Sequence, residues 1–135
     1  MLFKIDPNKG VSSFDIGETI ASYTDKYSHS FCEGKDDVGW DEYDFFDGGL
    51  EVYVDKKEKT IESICCRKNC YLDDIDLIGF SYDEFLERFG LKEKEIQYED
   101  VWISDTEKQR VYEIEYFSLQ VWVDREGVIK TVFLG

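Results

Sequence analysis

The chain has 135 residues, with 31 acidic residues against 16 Lys and Arg, and its net charge is −15 at pH 7. Hydrophobic residues make up 42% and aromatic residues 16% of the sequence, too many for an acidic disordered chain. This charge balance disfavours nucleic acid as a partner, because phosphate binding needs clustered lysine and arginine residues. No apolar run has the length of a leader or a membrane span, so we expect one cytoplasmic domain, residues 1–135, without membrane contact.

An internal repeat organises the sequence. A constant offset of 69 residues lays residues 10–55 over residues 79–124 without a gap. Tandem copies of one unit usually stack around a shared core, and a lone unit of about 65 residues buries little surface. We therefore predict a single domain built of two repeats, about 10–66 and 79–134.

Each repeat opens with a helix-start signal. Ser12 and Ser81 are each followed three residues later by an acid, which is the pattern of a capping box. Apolar residues four apart then predict a first helix from Ser12 to about Tyr23. The second helix is predicted to end at Gly90, because glycine readily takes the left-handed conformation that closes a helix.

After each helix the hydrophobic period changes from 3.6 to 2, which indicates strands. The predicted strands are 43–46, 50–55, 60–66, 101–103, 112–117, 119–124 and 128–134, and residues 28–41 are predicted as a loop. The sequence thus predicts an α+β fold in which the tandem helix-plus-antiparallel-strands repeat forms one sheet of six to eight strands. Both helices are expected on one face of this sheet, and the other face is expected to stay open.

Four cysteines occur without a regular disulfide framework, and vicinal cysteines bridge poorly, so we predict free thiols. They are Cys32, Cys65, Cys66 and Cys70. Together with His29 they lack the paired Cys-x2-Cys spacing of common zinc sites. We therefore predict no metal ligands, and a zinc site formed by the cysteines stays open as an alternative.

Catalytic motifs are missing from the sequence. His29 is the sole histidine, and no nucleophile elbow, His-Glu-x-x-His helix or phosphate-binding glycine loop occurs. Neighbouring carboxylates are frequent simply because acids are frequent. We predict neither enzymatic activity nor a cofactor.

Strand alternation assigns Tyr53 and Trp122 to the open face of the predicted sheet. Aromatic side chains among polar ones are typical of protein-binding surfaces. The stretch 36–55 holds eight acids and no base, a pattern that attracts a basic protein partner. The predicted partner-binding residues are Asp36, Asp37, Trp40, Asp41, Glu42, Tyr43, Asp44, Asp47, Glu51, Tyr53 and Trp122.

The second repeat resembles a known module. The runs Gly79–Gly90, Tyr112–Tyr116 and Leu119–Ile129 are similar to the helix-then-strands unit of the β-lactamase-inhibitor-protein and small outer-membrane lipoprotein superfamily. Tandem copies are a feature of the inhibitor protein, which binds its enzyme with an open sheet face. The resemblance implies an interface that contains Tyr53 and Trp122.

A second resemblance is one of protein type. Members of that superfamily are exported and often disulfide-bonded or lipidated, and this sequence shows neither a signal nor matching cysteine pairs. A small, acidic, aromatic-rich protein with a binding face and no active site resembles the immunity proteins of bacterial contact-dependent and polymorphic toxin systems. The resemblance implies a cytoplasmic protein that binds and neutralises a cognate toxin, with a basic nuclease domain as the expected type.

Two alternatives stay open at this point. The same surface features fit an adaptor that inhibits nothing, and the cysteines or the sheet face fit a metal-binding or small-ligand-binding module. An exposed edge strand can pair with a second copy of the chain. We therefore expect a monomer or a weak homodimer.

Overall fold

The computed structural model describes residues 1–135 and has an α+β fold in which antiparallel sheet predominates. Its strands and helices in chain order are β1 (Ile5–Asp6), β2 (Gly10–Val11), β3 (Phe14–Asp15), α1 (Ala21–Thr24), β4 (His29–Cys32), β5 (Trp40–Phe45), β6 (Leu50–Asp55), β7 (Ile61–Cys66), β8 (Tyr71–Leu72), β9 (Ile75–Asp76), α2 (Tyr82–Arg88), β10 (Gln97–Trp102), β11 (Lys108–Ile114), β12 (Leu119–Val123) and β13 (Ile129–Leu134). Neither helix has the length and apolar character that crossing a membrane would require.

Eight strands form the main sheet, in the order β10-β11-β12-β13-β7-β6-β5-β4. The two central strands, β13 and β7, pair antiparallel with Phe133 opposite Cys65. From this centre outwards each half runs backwards through the chain, as a meander of four strands. Strands β1 to β3 and strands β8 and β9 form two small sheets outside the main one.

Alternation along β6 and β12 separates the two faces of the sheet, as the sequence predicts. In both strands every second residue is buried and the residues between are half-exposed. Val52 and Val121 have no exposed surface, whereas Tyr53 and Trp122 are half-buried. One face therefore belongs to the core, and the other carries the aromatic side chains.

The core lies between the main sheet and the segments that pack on one of its faces. Tyr82 of α2 stacks on Tyr112 of β11 with ring centroids 3.9 Å apart. At the other end of the sheet Phe14 meets Phe45 edge to face at 4.8 Å and stacks on Tyr23 at 4.4 Å. These contacts belong to one cluster of 27 buried residues. The core is therefore continuous across both halves of the sheet.

The second predicted helix is confirmed with its caps. The Ser81 hydroxyl accepts a hydrogen bond from the Glu84 N–H at 3.3 Å, and Ser81 is the N-cap of α2. Gly90 follows the helix with a φ of 65°, a conformation that costs glycine little. Phe85 is fully buried under the helix.

The first predicted helix is wrong over most of its length, because only Ala21–Thr24 is helical. The chain instead reverses at Ser12, which has a φ of 55°, and Val11 pairs with Phe14 in a short hairpin. Gly17 lies within the predicted helix with a φ of 90°. A Ser–Ser turn and a glycine weaken the helix locally, and burial of Phe14 among aromatic rings favours the hairpin.

Three predicted boundaries also differ from the structure. The predicted loop 28–41 contains β4 and the start of β5. The predicted strand 112–117 ends at Ile114, because residues 115–117 form a 3-10 turn that reverses the chain before β12. The predicted strand 101–103 is the end of the longer β10. Five of the six residues of β10 are exposed, so the strand lacks the alternation between buried and exposed positions that marks a strand.

Candidate functional site: the open face of the sheet

Cross-strand register decides which side chains share the face opposite the core, which we call the open face. Residues directly opposite each other in an antiparallel pair point to the same side of the sheet. Glu42 lies opposite Tyr53, and Asp44 lies opposite Glu51. The registers of the remaining strands place further large side chains on this face, namely Trp40, Phe133 and Trp122.

Three aromatic side chains, Tyr53, Phe133 and Trp122, cross the centre of the open face, and we call them the aromatic row. Phe133 lies in the middle, with its ring centroid 6.1 Å from that of Tyr53 and 5.8 Å from that of Trp122. The Trp122 indole N–H donates to the side-chain oxygen of Gln120 at 3.0 Å, which orients the ring. All three rings are half-buried, so each presents part of its surface to a partner.

Phe133 is the residue of this row that the sequence analysis missed. The 69-residue alignment of the sequence with itself pointed to Tyr53 and Trp122, because it places them at equivalent positions. Phe133 joins them only through the register of the β12–β13 hairpin, in which it lies opposite Gln120. The alternation of β13 held this signal, because buried Val132 and Leu134 flank Phe133.

A group of three carboxylates, Glu42, Asp44 and Glu51, lies at the Tyr53 end of the row, and we call it the carboxylate cluster. One oxygen of each side chain lies within 4.8 Å of the others. The Tyr53 hydroxyl donates to Glu51 Oε1 at 3.1 Å, and Arg67 pairs with the other Glu51 oxygen. Asp44 Oδ1 is buried and accepts no hydrogen bond. Glu51 is thus neutralised, whereas Glu42 and Asp44 are not.

The electrostatics of the cluster favour the arrival of positive charge. Burial and the charges of Asp44 and Glu51 raise the pKa of Glu42. Burial and the charges of Glu51 and Glu42 raise the pKa of Tyr53, which stays a protonated donor. A cationic group at this position would relieve the repulsion between the carboxylates. Carboxylate oxygens are also ligands of hard divalent ions, but three neighbouring acids alone do not identify a metal site.

Asp41 does not join the open face, although the sequence analysis grouped it with its neighbours. It is 5% exposed and lies on the core side of β5. Its Oδ1 accepts hydrogen bonds from the Lys56 ammonium and the Gly34 N–H, each at 3.0 Å. The hydrogen bond from Lys56 lowers the pKa of Asp41. Asp41 therefore anchors the loop before β5 and offers a partner no free carboxylate.

The other predicted site residues lie off the open face. Tyr43 is on the core side of β5, where its ring contacts Phe31 at 4.9 Å. Asp36 and Asp37 occupy the loop between β4 and β5, and Asp47 lies in the turn between β5 and β6. Of the eleven predicted residues, the structure brings six together on the open face: Trp40, Glu42, Asp44, Glu51, Tyr53 and Trp122.

The four cysteines are free thiols, as predicted. Cys32 is exposed on the edge strand β4, and β5 and β6 separate it from β7. Three strand spacings correspond to about 14 Å, far beyond a shared metal ion. Cys65 and Cys66 are adjacent in β7 and point to opposite faces of the sheet. The fold therefore does not bring all four thiols to one centre.

No protein-family model matches the chain, and neither a curated protein nor a solved structure matches it. The resemblances drawn from the sequence stay predictions, and the functional argument rests on the open face itself.

Proposed function

We propose that this chain is an immunity protein, a cytoplasmic inhibitor that binds a cognate bacterial toxin through the open face. The expected toxin has a basic surface, as a nuclease domain would. One observation carries the proposal: the aromatic row and an incompletely neutralised carboxylate cluster lie side by side on a face that the core does not use.

The aromatic row supplies the apolar part of such an interface. Half-buried rings that already pack against one another lose little conformational entropy when a partner covers them. Aromatic residues near the centre of an interface typically contribute most of its binding energy. Tyr53, Phe133 and Trp122 are central in the sheet, and polar residues surround them. They are therefore the proposed anchors.

The carboxylate cluster supplies the polar part. No lysine or arginine forms an ion pair with Glu42 or Asp44, so their two negative charges repel each other, and Asp44 Oδ1 has no hydrogen-bond partner. A lysine or arginine side chain of the toxin would satisfy this oxygen and form charge-assisted hydrogen bonds with the cluster. The net charge of −15 adds long-range attraction, which raises the association rate at low salt.

The two halves of the sheet are proposed to be copies of one unit with different contact roles. The 69-residue offset superposes β5 on β11 and β6 on β12, and it brings Tyr53 and Trp122 to equivalent positions. The acids, in contrast, are concentrated in the first copy. The matching position of Glu51 in the second copy is Gln120, which binds the indole of Trp122 instead of a cation.

Inhibition by covering a toxin is the proposed activity, and the chain itself is proposed to catalyse nothing. An adaptor without inhibitory activity would share the binding face. The two functions differ in one result, since an immunity protein protects a cell from its toxin and an adaptor does not. The proposal therefore has a direct cellular test.

The test co-expresses the chain with the toxin domain encoded beside its gene and measures growth. We expect protection by the wild type and loss of protection when Tyr53→Ala and Trp122→Ala are combined. Tyr116→Ala is the matched control, because this ring is 77% exposed and lies outside the row. If the double variant still protects, the open face is not the interface. If the wild type binds the toxin without protection, the chain is an adaptor.

A further inference from the structure

A second site lies on the core side of the sheet, where α2 meets β10 and β11. A cavity of about 550 Å³ opens there, a volume within the range of small-ligand sites. The stacked rings of Tyr82 and Tyr112 line it together with Trp102, which is 64% exposed. This cavity and the aromatic row lie on opposite faces of the sheet, so the two sites are independent.

The fold gives the hydroxyl group of Tyr82 no hydrogen-bond partner. The residue is 3% exposed, and its hydroxyl oxygen is buried without a hydrogen-bond partner. Buried hydroxyl groups nearly always have a partner, because an unpaired one keeps the full cost of leaving water. Phenylalanine would pack on Tyr112 equally well, so packing alone does not account for the hydroxyl.

The charges around the cavity indicate the ligand. Lys108 and Arg110 also line it, but both pair with Asp100 at 3.6 Å and 2.9 Å. Glu93 and Asp83 form no ion pair within the chain. The third base of the lining, Arg125, forms no ion pair and donates to the Thr106 carbonyl at 3.3 Å. The lining thus holds four acids and three bases, a formal charge of −1. Burial, together with the charges of Tyr112, Glu93 and Asp83, raises the pKa of Tyr82, so its hydroxyl stays neutral.

Two rings of β10, Tyr98 beside the cavity and Trp102 in its lining, already bind cations of the chain itself. The Arg110 guanidinium lies over the ring of Tyr98 at 4.1 Å, and the Lys108 ammonium lies over Trp102 at 5.8 Å. Aromatic faces beside carboxylates are the usual environment of organic cations in proteins. A phenol oxygen can accept a hydrogen bond from an N–H group of such a cation.

We infer that this cavity binds an organic cation, a guanidinium or ammonium group that donates to the Tyr82 hydroxyl and pairs with Glu93 and Asp83. Two sources present this chemistry: a free small molecule, or an arginine or lysine side chain of a protein. The inference goes beyond the proposed open-face interface and does not depend on it.

The test is an NMR titration of the full chain with L-argininamide, with neutral L-citrullinamide as the matched control. We expect saturable shifts at α2 and β11 with argininamide and none with citrullinamide. Tyr82→Phe keeps the ring and should weaken binding about 2- to 10-fold, the effect of one lost hydrogen bond. Glu93→Gln is an exposed substitution, and it should weaken binding at least as much even if Tyr82→Phe unfolds the protein.

A second arm separates the two sources. Tighter binding of the capped tripeptide Gly-Arg-Gly than of argininamide assigns the cavity to a protein side chain, and weaker binding assigns it to a free cation. Equal binding of argininamide and citrullinamide would overturn the inference. Saturable binding of pyrophosphate at the same residues would also overturn it, because the cavity would then be an anion site.

Discussion

Replacing Glu42 with glutamine should stabilise the free protein. Glu42 and Asp44 have oxygens within 4.8 Å of each other, and no base neutralises this pair. Two unit charges at that distance repel by about 0.9 kcal/mol in water and about 3.5 kcal/mol at an effective dielectric constant of 20. Because both side chains are half-exposed, the lower figure applies, and we expect a gain of about 1 kcal/mol in the free energy of unfolding at pH 7.

The pH dependence of this gain follows from the raised pKa of Glu42. An acid with a raised pKa in the folded state lowers stability progressively as the pH rises from its unfolded pKa, and the loss is complete above its folded pKa. The difference in stability between Glu42→Gln and wild type should therefore vanish below the ordinary glutamate pKa of 4.5 and increase as the pH rises above it.

The assay is urea denaturation of both proteins across this pH range. Glu99→Gln is the matched control, because Glu99 of β10 is exposed on the open face and lies outside the carboxylate cluster. An unchanged or lower stability of Glu42→Gln at pH 7 would refute the electrostatic argument. An equal gain in Glu99→Gln would attribute the effect to net charge alone.

Three further predictions concern the fold itself. Phe85→Ala should lower the free energy of unfolding by about 3–5 kcal/mol in urea denaturation, because a fully buried ring under α2 leaves a cavity; a loss below 1 kcal/mol would mean that α2 does not cover the core. Native alkylation at pH 8 should modify Cys32 alone, since the other three thiols are buried. Burial raises the pKa of Cys65, and a hydrogen bond with Cys66 together with burial raises that of Cys70. Mass spectrometry that finds a second adduct would contradict the burial. Asp41→Asn should reduce stability above pH 3.8, where the lowered pKa of Asp41 contributes, and the difference from wild type should shrink as pH falls below that value; a difference that is constant down to pH 3 would exclude the ion pair as its cause.

The strands of this fold could be predicted where one face of the sheet is buried. Alternation in β6 and β12 located both strands and the outward direction of Tyr53 and Trp122. It failed at the sheet edges, since β4 is exposed throughout and β10 nearly so. An edge strand shows little burial on either side, and its pairing is decided by its neighbour instead of its own pattern.

The helices show the opposing effects of local and tertiary signals. At Ser81 the capping signal, the apolar spacing and Gly90 agree, and the helix forms. At Ser12 the same capping signal is present, but Gly17 interrupts the segment and Phe14 is buried in a different conformation. Four residues of capping sequence could not reveal this, because the competing aromatic partners lie elsewhere in the chain.

The sequence predicted the region of the candidate site, but it did not predict which of the acids meet across neighbouring strands. Composition located the acids between residues 36 and 55. Only the β5–β6 register shows that Glu42 and Asp44 meet Glu51 on the open face, whereas Asp41 turns inwards to Lys56. A shift of one residue in that register would exchange the two sets, which is why sequence alone could not separate them.

The most direct test of the proposed interface is chemical-shift mapping of the chain in complex with its cognate toxin domain. The account predicts that the largest changes fall on the side chains of Tyr53, Phe133, Trp122 and the carboxylate cluster, and that added salt slows association. Changes confined to α2, to β10 or to the loop before β5, with the aromatic row unaffected, would contradict it.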